Sequence, residues 1–276
     1  MAKSSSGVKS KVDTGTPGRT AYKKASGQEV SWDPYDMRLN YTADPETAYT
    51  PGPESETATL LYYYTQEHPD AHPHDLSFLT AAELEQEAES LFQKLGMAFQ
   101  PELLHFVTLS GQEVLDFQEE MYRKPFYTEM GTPFQLTDAE DTCYLEFTFS
   151  MEEIPIFGPK EHGVSYIDGV FPPIPVSASL LITAEGIQRF NMNYACTAVK
   201  GEDKPLLTPE AAAQALKEQY ALEIHFGEIV FDRVYLQYIP VMEGDQFVLK
   251  PYWCFDSADL AERINALTGE DISYGG

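Results

Sequence analysis

Apolar and polar positions recur along this chain with two periods, and the two periods divide it into helices and strands. From Ala81 to Leu95, the residues Leu84, Ala88, Leu91, Phe92 and Leu95 draw one apolar stripe down a helix. Thr80 stands at the N-cap with Glu83 three residues on, a pairing in which each side chain satisfies the other's backbone, and Gly96 supplies the stop. A second helix is predicted after Thr208, with Pro209 in the first helical position, Glu210 at the positive end of the dipole, and Ala213, Leu216 and Tyr220 as its stripe. A shorter helix is predicted over Glu113 to Arg123, ahead of Pro125.

Period two marks the strands. Cys143, Leu145, Phe147 and Phe149 alternate with Tyr144, Glu146 and Thr148, which predicts a strand with one buried face. Val176 to Thr183 and Ile187 to Tyr194 flank Ala184-Glu185-Gly186 and read as a hairpin. Ile229 to Val241 and Gln246 to Phe255 read as strands reversing at Gly244, followed by a final strand or turn over Ile264 to Ile272. Upstream, Leu103 to Leu109 reads as a strand, Thr59 to Thr65 as a tyrosine-rich one, and Glu29 to Asn40 as an edge strand bent at Asp33-Pro34. Two stretches lack periodicity. Residues 1–27, mostly Ser, Gly, Lys and Thr, read as a flexible tail, and Ile154 to Pro175 holds five prolines and three glycines in one long irregular excursion.

A helix followed by an antiparallel sheet, used twice, predicts an α+β chain of two helix-on-sheet units in tandem. The expected division is a disordered basic tail at 1–27, a first unit at 28–200 with extra N-terminal strands and the Pro/Gly loop, and a second unit at 201–276. A length of 276 residues with 43% hydrophobic content is enough for two cores. The formal charge is −26, while Lys3, Lys9, Lys11, Arg19, Lys23 and Lys24 against Asp13 make the first 24 residues net +5. A body that acidic repels phosphate backbones, which argues against nucleic acid as a partner. No run of 18 apolar residues marks a membrane span, and the first residues hold no apolar h-region. A cytoplasmic chain begins this way, and so does one from which an export signal has been removed.

Candidate chemistry is sparse. Cys143, Cys196 and Cys254 are odd in number, widely spaced and set among strand residues, so they read as small buried hydrophobes. His68, His72 and His74, with Asp70 and Asp75, form the one metal-like string, since imidazoles two and four apart can reach one ion. It contains two prolines, sits in a loop and has no obvious distant ligand, so an exposed polar loop competes with a metal site. No phosphate loop, dinucleotide motif or nucleophile elbow occurs, and no cofactor is expected. Phe157, Tyr166 and Phe171, among the prolines of the irregular excursion, are candidates for a partner-binding surface.

The last third carries a resemblance. Leu207-Thr208-Pro209-Glu210 before a helix, Tyr235 and Tyr238 in the next strand, Pro251 and Trp253 in the following one, and a closing Asn265, Ala266, Thr268, Gly269 and Glu270 resemble the PepSY-like repeats of the YycH/YycI regulatory family. The match spans about 70 C-terminal residues and is looser from Leu79 to Tyr194. It implies a bacterial, extracytoplasmic protein of the Gram-positive cell envelope, related to uncharacterised lipoproteins. Such a protein acts by contact with an envelope protein or cell-wall component and meets the membrane only through a tether. The function expected is therefore a non-enzymatic binding or regulatory module. The alternatives are a metal-dependent hydrolase using the His68 to His74 loop, or an inhibitory pro-domain-like module.

Overall fold

The computed structural model describes residues 10–12, 20–24, 28–33, 38–43, 53–97, 99–124, 136–158, 176–193, 201–221, 229–243, 246–257 and 260–271. The chain is α+β and forms two compact units. The first comprises Met1–Met97, Pro101–Phe147 and Ser177–Cys196; the second comprises Ala98–Gln100, Thr148–Val176 and Thr197–Gly276.

In the first unit, β1 (Ser10–Val12), β2 (Thr20–Lys23), β3 (Glu29–Asp33), β4 (Arg38–Thr42), β5 (Gln100–Leu109), β6 (Thr142–Met151), β8 (Ala178–Thr183) and β9 (Gly186–Met192) lie side by side in the order β1-β2-β3-β4-β9-β8-β6-β5. The last four residues of β6, and Gln100 of β5, belong to the second unit. Helix α2 (Ala81–Leu95) has the expected capping box between Thr80 and Glu83, and its C-cap Gly96 takes a positive φ of 63°. Its Phe92 ring sits 4.8 Å from Phe147 and 6.2 Å from Phe190, edge to face, so α2 covers the face of β6 that carries Cys143, Leu145 and Phe147.

The alternate residues Tyr144 and Glu146 of β6 are buried as well, and Thr148 is half-buried, contrary to the expectation of a single buried face. Tyr144 belongs to a core with Leu60 and Leu61 of α1 (Pro53–Glu67), Val114, Phe117 and Met121 of α3 (Gly111–Tyr122), Val107 and Leu109 of β5, and Leu181 of β8. Successive strand residues point to opposite faces, so helices lie on both sides of this part of the sheet.

Three other expectations are corrected here. Thr59 to Thr65 is helical, within α1, because Leu60, Leu61 and Tyr64 make one helical face against α3, with the Tyr64 ring 5.0 Å from Phe117. The edge strand expected from Glu29 to Asn40 is two strands, β3 and β4, paired antiparallel, with β3 flanked by β2 and therefore internal. Within the expected tail, Ser10–Val12 and Thr20–Lys23 are paired strands rather than tether.

In the second unit, β10 (Arg233–Glu243), β11 (Gln246–Asp256) and β12 (Ala261–Asn265) form an antiparallel meander. Helix α4 (Pro209–Tyr220), capped by Thr208, packs Ala212 and Leu216 on Phe255 and Ile264. The stripe is Ala212, Leu216 and Tyr220, not Ala213, which is exposed; three consecutive alanines leave the helical phase open by one residue until Leu216 and Tyr220 fix it. The opposite face of β11, carrying Tyr252 and Cys254, meets Ile239 and Phe157. Phe157 follows β7 (Ile154–Pro155), which pairs with the end of β6, and its N–H donates to the Tyr238 carbonyl at 2.8 Å.

Candidate binding surface

The cross-strand register of the first unit lines up one residue from each of six strands: Tyr22, Val30, Tyr41, Phe190, Leu180 and Leu145. Directly opposed residues share a face, so this is a single apolar ladder running across the sheet. Its inner half is core: Phe190, Leu180 and Leu145 are 3%, 1% and 0% exposed, with α2 above Phe190. Its outer half is not, since Tyr22 is 47% exposed and Val30 40%. The alternate residues Ala21 and Ser31 on the same strands are buried. A two-faced sheet normally hides its apolar side and shows its polar one. Strands β2 and β3 do the reverse.

Tyr22, Val30 and Tyr41, with Lys24 and Gln28, line a cleft of about 270 Å³ whose lining is almost wholly apolar. The β2–β3 hairpin sets its polar end: Lys24 N–H donates to the Gln28 carbonyl at 2.8 Å, and the Lys24 ammonium donates to Gln28 Oε1 at 3.1 Å. The cleft's own surface is the apolar part of these five side chains, with their phenol hydroxyls, amide and ammonium contributing little of it, which suits an apolar ligand with polar contact at the rim. No nucleophile paired with a general base lies among them.

Sequence reasoning did not find this cleft, because Tyr22 and Lys24 fell in a segment whose composition reads as linker. The signal that was present is Ser26-Gly27, a turn dipeptide between Tyr22-Lys23-Lys24 and Gln28-Glu29-Val30.

The residues singled out by sequence lie elsewhere, and of these Cys143 and Cys254 are buried as expected. Phe157 is 4% exposed and packed with Ile239, Tyr252 and Cys254, so it is core and not partner surface. Ile156 N–H donates to the Phe149 carbonyl and Phe157 N–H to the Tyr238 carbonyl, which draws the Phe157 ring inward despite the prolines around it. Tyr166 and Phe171 lie outside the described residues, as does Cys196. Cys143 and Cys254 are fully buried, and burial pushes the Cys143 thiol up, which leaves it protonated and inert.

The three histidines are not gathered on one centre. The His68 ring packs against Tyr64 at 4.4 Å and Phe117 at 5.9 Å, while His72 is exposed. His74 is held by its N–H on Thr108 Oγ1 at 2.7 Å, and its Nε2 lies 3.5 Å from Glu113 Oε2. Among the described residues, no group of three or more His, Cys, Asp or Glu side chains is placed to hold a metal ion.

The histidine loop is instead strapped to the capped start of α3. Asp141 accepts from Ser77 N–H at 3.2 Å and Gly111 N–H at 3.1 Å; the Ser77 hydroxyl foremost, and then these backbone bonds, hold its carboxyl below the ordinary range. Burial pushes the Glu113 carboxyl up, but its bonds from Ser110 and the nearby His74 outweigh that and leave it lowered. Asp75 accepts from Ala81 N–H at 3.0 Å at the start of α2.

No family model matches this chain, and no curated protein matches it. A solved structure of an uncharacterized protein from Eubacterium rectale is similar at a TM-score of 0.48 and 14% identity, covering 96% of this chain and 75% of that one. At that distance no role passes from one chain to the other. The PepSY-like resemblance therefore stands on its motif residues alone.

Proposed function

We propose that this chain is a non-enzymatic binding module that recognises a protein or a component of the cell envelope through the outer half of the apolar ladder. The observation that carries the reading is the inverted burial of β2 and β3, with Tyr22 and Val30 exposed while Ala21 and Ser31 are buried. Turning an apolar ladder outward forgoes burial worth about 25 cal/mol per Å². An aromatic surface kept at that cost supports reading this face as an interaction site. An extracytoplasmic setting, reached through a tether, is proposed on the PepSY-like resemblance of residues Leu207 to Glu270.

The test is affinity capture from a Gram-positive envelope extract, with the full chain and a Tyr22→Ser/Tyr41→Ser variant as baits. Both baits are first checked for the same circular-dichroism spectrum. The expected result is a defined envelope component held by the full chain and lost by the variant. Equal capture by both baits would remove this surface from the proposal, and capture by neither would remove the binding-module reading itself.

A further inference from the structure

We infer that the cleft of Tyr22, Val30 and Tyr41 is shaped for one aromatic residue at the C-terminal end of a peptide, its ring between the two tyrosines and its carboxylate on Lys24; this rests on the binding-module reading above. Three observations lead there. The first is size. At about 270 Å³ the cleft falls just under the roughly 300–1,000 Å³ of sites for cofactors and drug-sized ligands, so it suits a single side chain.

The second is shape. Tyr22 and Tyr41 each oppose Val30, so their backbones stand two strand spacings apart, about 9.5 Å. The shorter valine between them leaves a slot walled by rings and floored by an isopropyl group. A flat ring entering this slot meets aromatic surface on both sides, in the offset or edge-to-face arrangements that aromatic pairs favour.

The third is charge. Among the described residues, the Lys24 ammonium has the neutral Gln28 amide as its partner and no carboxylate. The chain's net charge of −26 would repel a distant anion, but at physiological salt that field is screened beyond about 8 Å. Contact energies at the cleft are therefore decided by the charges beside it, Lys24 in its lining and Lys11, which pairs with Tyr22 in the strand register. A chain-terminal carboxylate beside an aromatic ring matches a slot with an ammonium at one end, whereas an internal aromatic residue brings no charge to that position.

The experiment is an NMR titration of the full chain with N-acetyl-Gly-Gly-Phe bearing a free carboxylate. The same peptide as its C-terminal amide, N-acetyl-Gly-Gly-Ala with a free carboxylate, and 3-phenylpropionate serve as comparisons. One ring and one charge give a Kd on the order of 1 mM, which the titration reads directly. The expected result is that the Phe acid shifts the Tyr22, Val30 and Tyr41 signals, with the amide and the Ala peptide each binding at least about tenfold more weakly. Lys24→Met should erase the difference between acid and amide. Val30→Trp, which fills the slot, should abolish binding while signals elsewhere stay in place.

Equal binding of acid and amide, equal binding of Phe and Ala peptides, or no shift at saturating peptide overturns the inference. If 3-phenylpropionate binds as well as the peptide, the occupant is a free aromatic acid and the chain-end assignment falls. These failures are separable from failure of the proposed function, because capture of an envelope component that depends on Tyr22 and Tyr41 would survive any of them.

Discussion

Asp256 is expected to be the most sensitive polar position in the second unit, and its hydrogen bonds give the size of the effect. Its side chain is 7% exposed and that of Arg263 is 2%. One carboxylate oxygen accepts from Arg263 Nη1; the other accepts from the Tyr235 hydroxyl at 2.8 Å and from Arg233 Nη2 at 3.2 Å. Arg263 also donates to the Glu262 carbonyl at 3.0 Å, while its buried Nε has no partner among the described residues. The substitution Asp256→Asn keeps the volume and removes the charge, which leaves Arg263 as a buried cation without its counter-ion. Stranding one member of a buried pair costs about 3–5 kcal/mol.

Arg263→Met strands less. Asp256 keeps Tyr235 and the 70%-exposed Arg233, so the loss is about 1–3 kcal/mol. The double substitution Asp256→Leu/Arg263→Met removes both charges together with the unsatisfied Nε, and its cost should fall well below the sum of the singles. Urea unfolding followed by Trp253 fluorescence checks this within the same unit, since Trp253 lies on β11 beside Cys254. With a slope of about 1–3 kcal/mol/M, Asp256→Asn should lower the midpoint by about 2 M. A shift under about 0.5 M, or a double variant whose loss equals the sum of the singles, would refute the account of this network.

Three further outcomes are expected. Gly111→Ala would place its Cβ 2.0 Å from the Ala139 carbonyl oxygen, so the start of α3 must move off that segment and off Asp141; thermal unfolding should show a loss of about 1–3 kcal/mol. Phe92→Ala removes the ring that seats α2 on Phe147 and Phe190 and should cost about 3–5 kcal/mol, read by chemical denaturation with Trp32 as the reporter. Asp141 has a depressed folded pKa, so its contribution is complete above its unfolded value near 3.9 and is lost as pH falls through the lower folded value. The stability gap between the native chain and Asp141→Asn, measured by urea titration at several pH values, should therefore be constant from about pH 5 to 7 and close on acidification.

The parts of the fold legible in the sequence are those fixed by local chemistry. Helices α2 and α4 announce themselves by caps, Thr80 with Glu83 and Thr208 with Pro209, and the β8–β9 hairpin by the turn whose Gly186 takes a φ of 99°. What was not legible is fixed by distant partners. Thr59 to Thr65 has strand composition, yet Leu60, Leu61 and Tyr64 find α3 and the segment coils to present them together. Alternation along β6 could not reveal that Tyr144 would meet α1 and α3 on the face opposite Phe92. Phe157 sits among prolines and glycines that suggest an exposed loop, but its backbone bond to Tyr238 carries it into the core.

The residues that carry the PepSY-like resemblance have structural duties in the second unit. Thr208 caps α4, and the Trp253 indole N–H donates to the Leu207 carbonyl at 2.8 Å. The Tyr235 hydroxyl serves Asp256. Asn265 Oδ1 accepts from the Leu267 and Thr268 N–H groups, Gly269 takes a φ of 78°, and the Thr268 hydroxyl donates to Glu270, so the closing motif is a turn satisfied by its own side chains. A motif composed of caps, turn bonds and core rings specifies how the chain folds and leaves its exposed surfaces open to change. Tyr22, Val30 and Tyr41 stand outside the stretch that carries it. Two chains sharing the C-terminal motif would then share the scaffold of the second unit, and on the function proposed above the differences that decide recognition would lie in β2, β3 and β4.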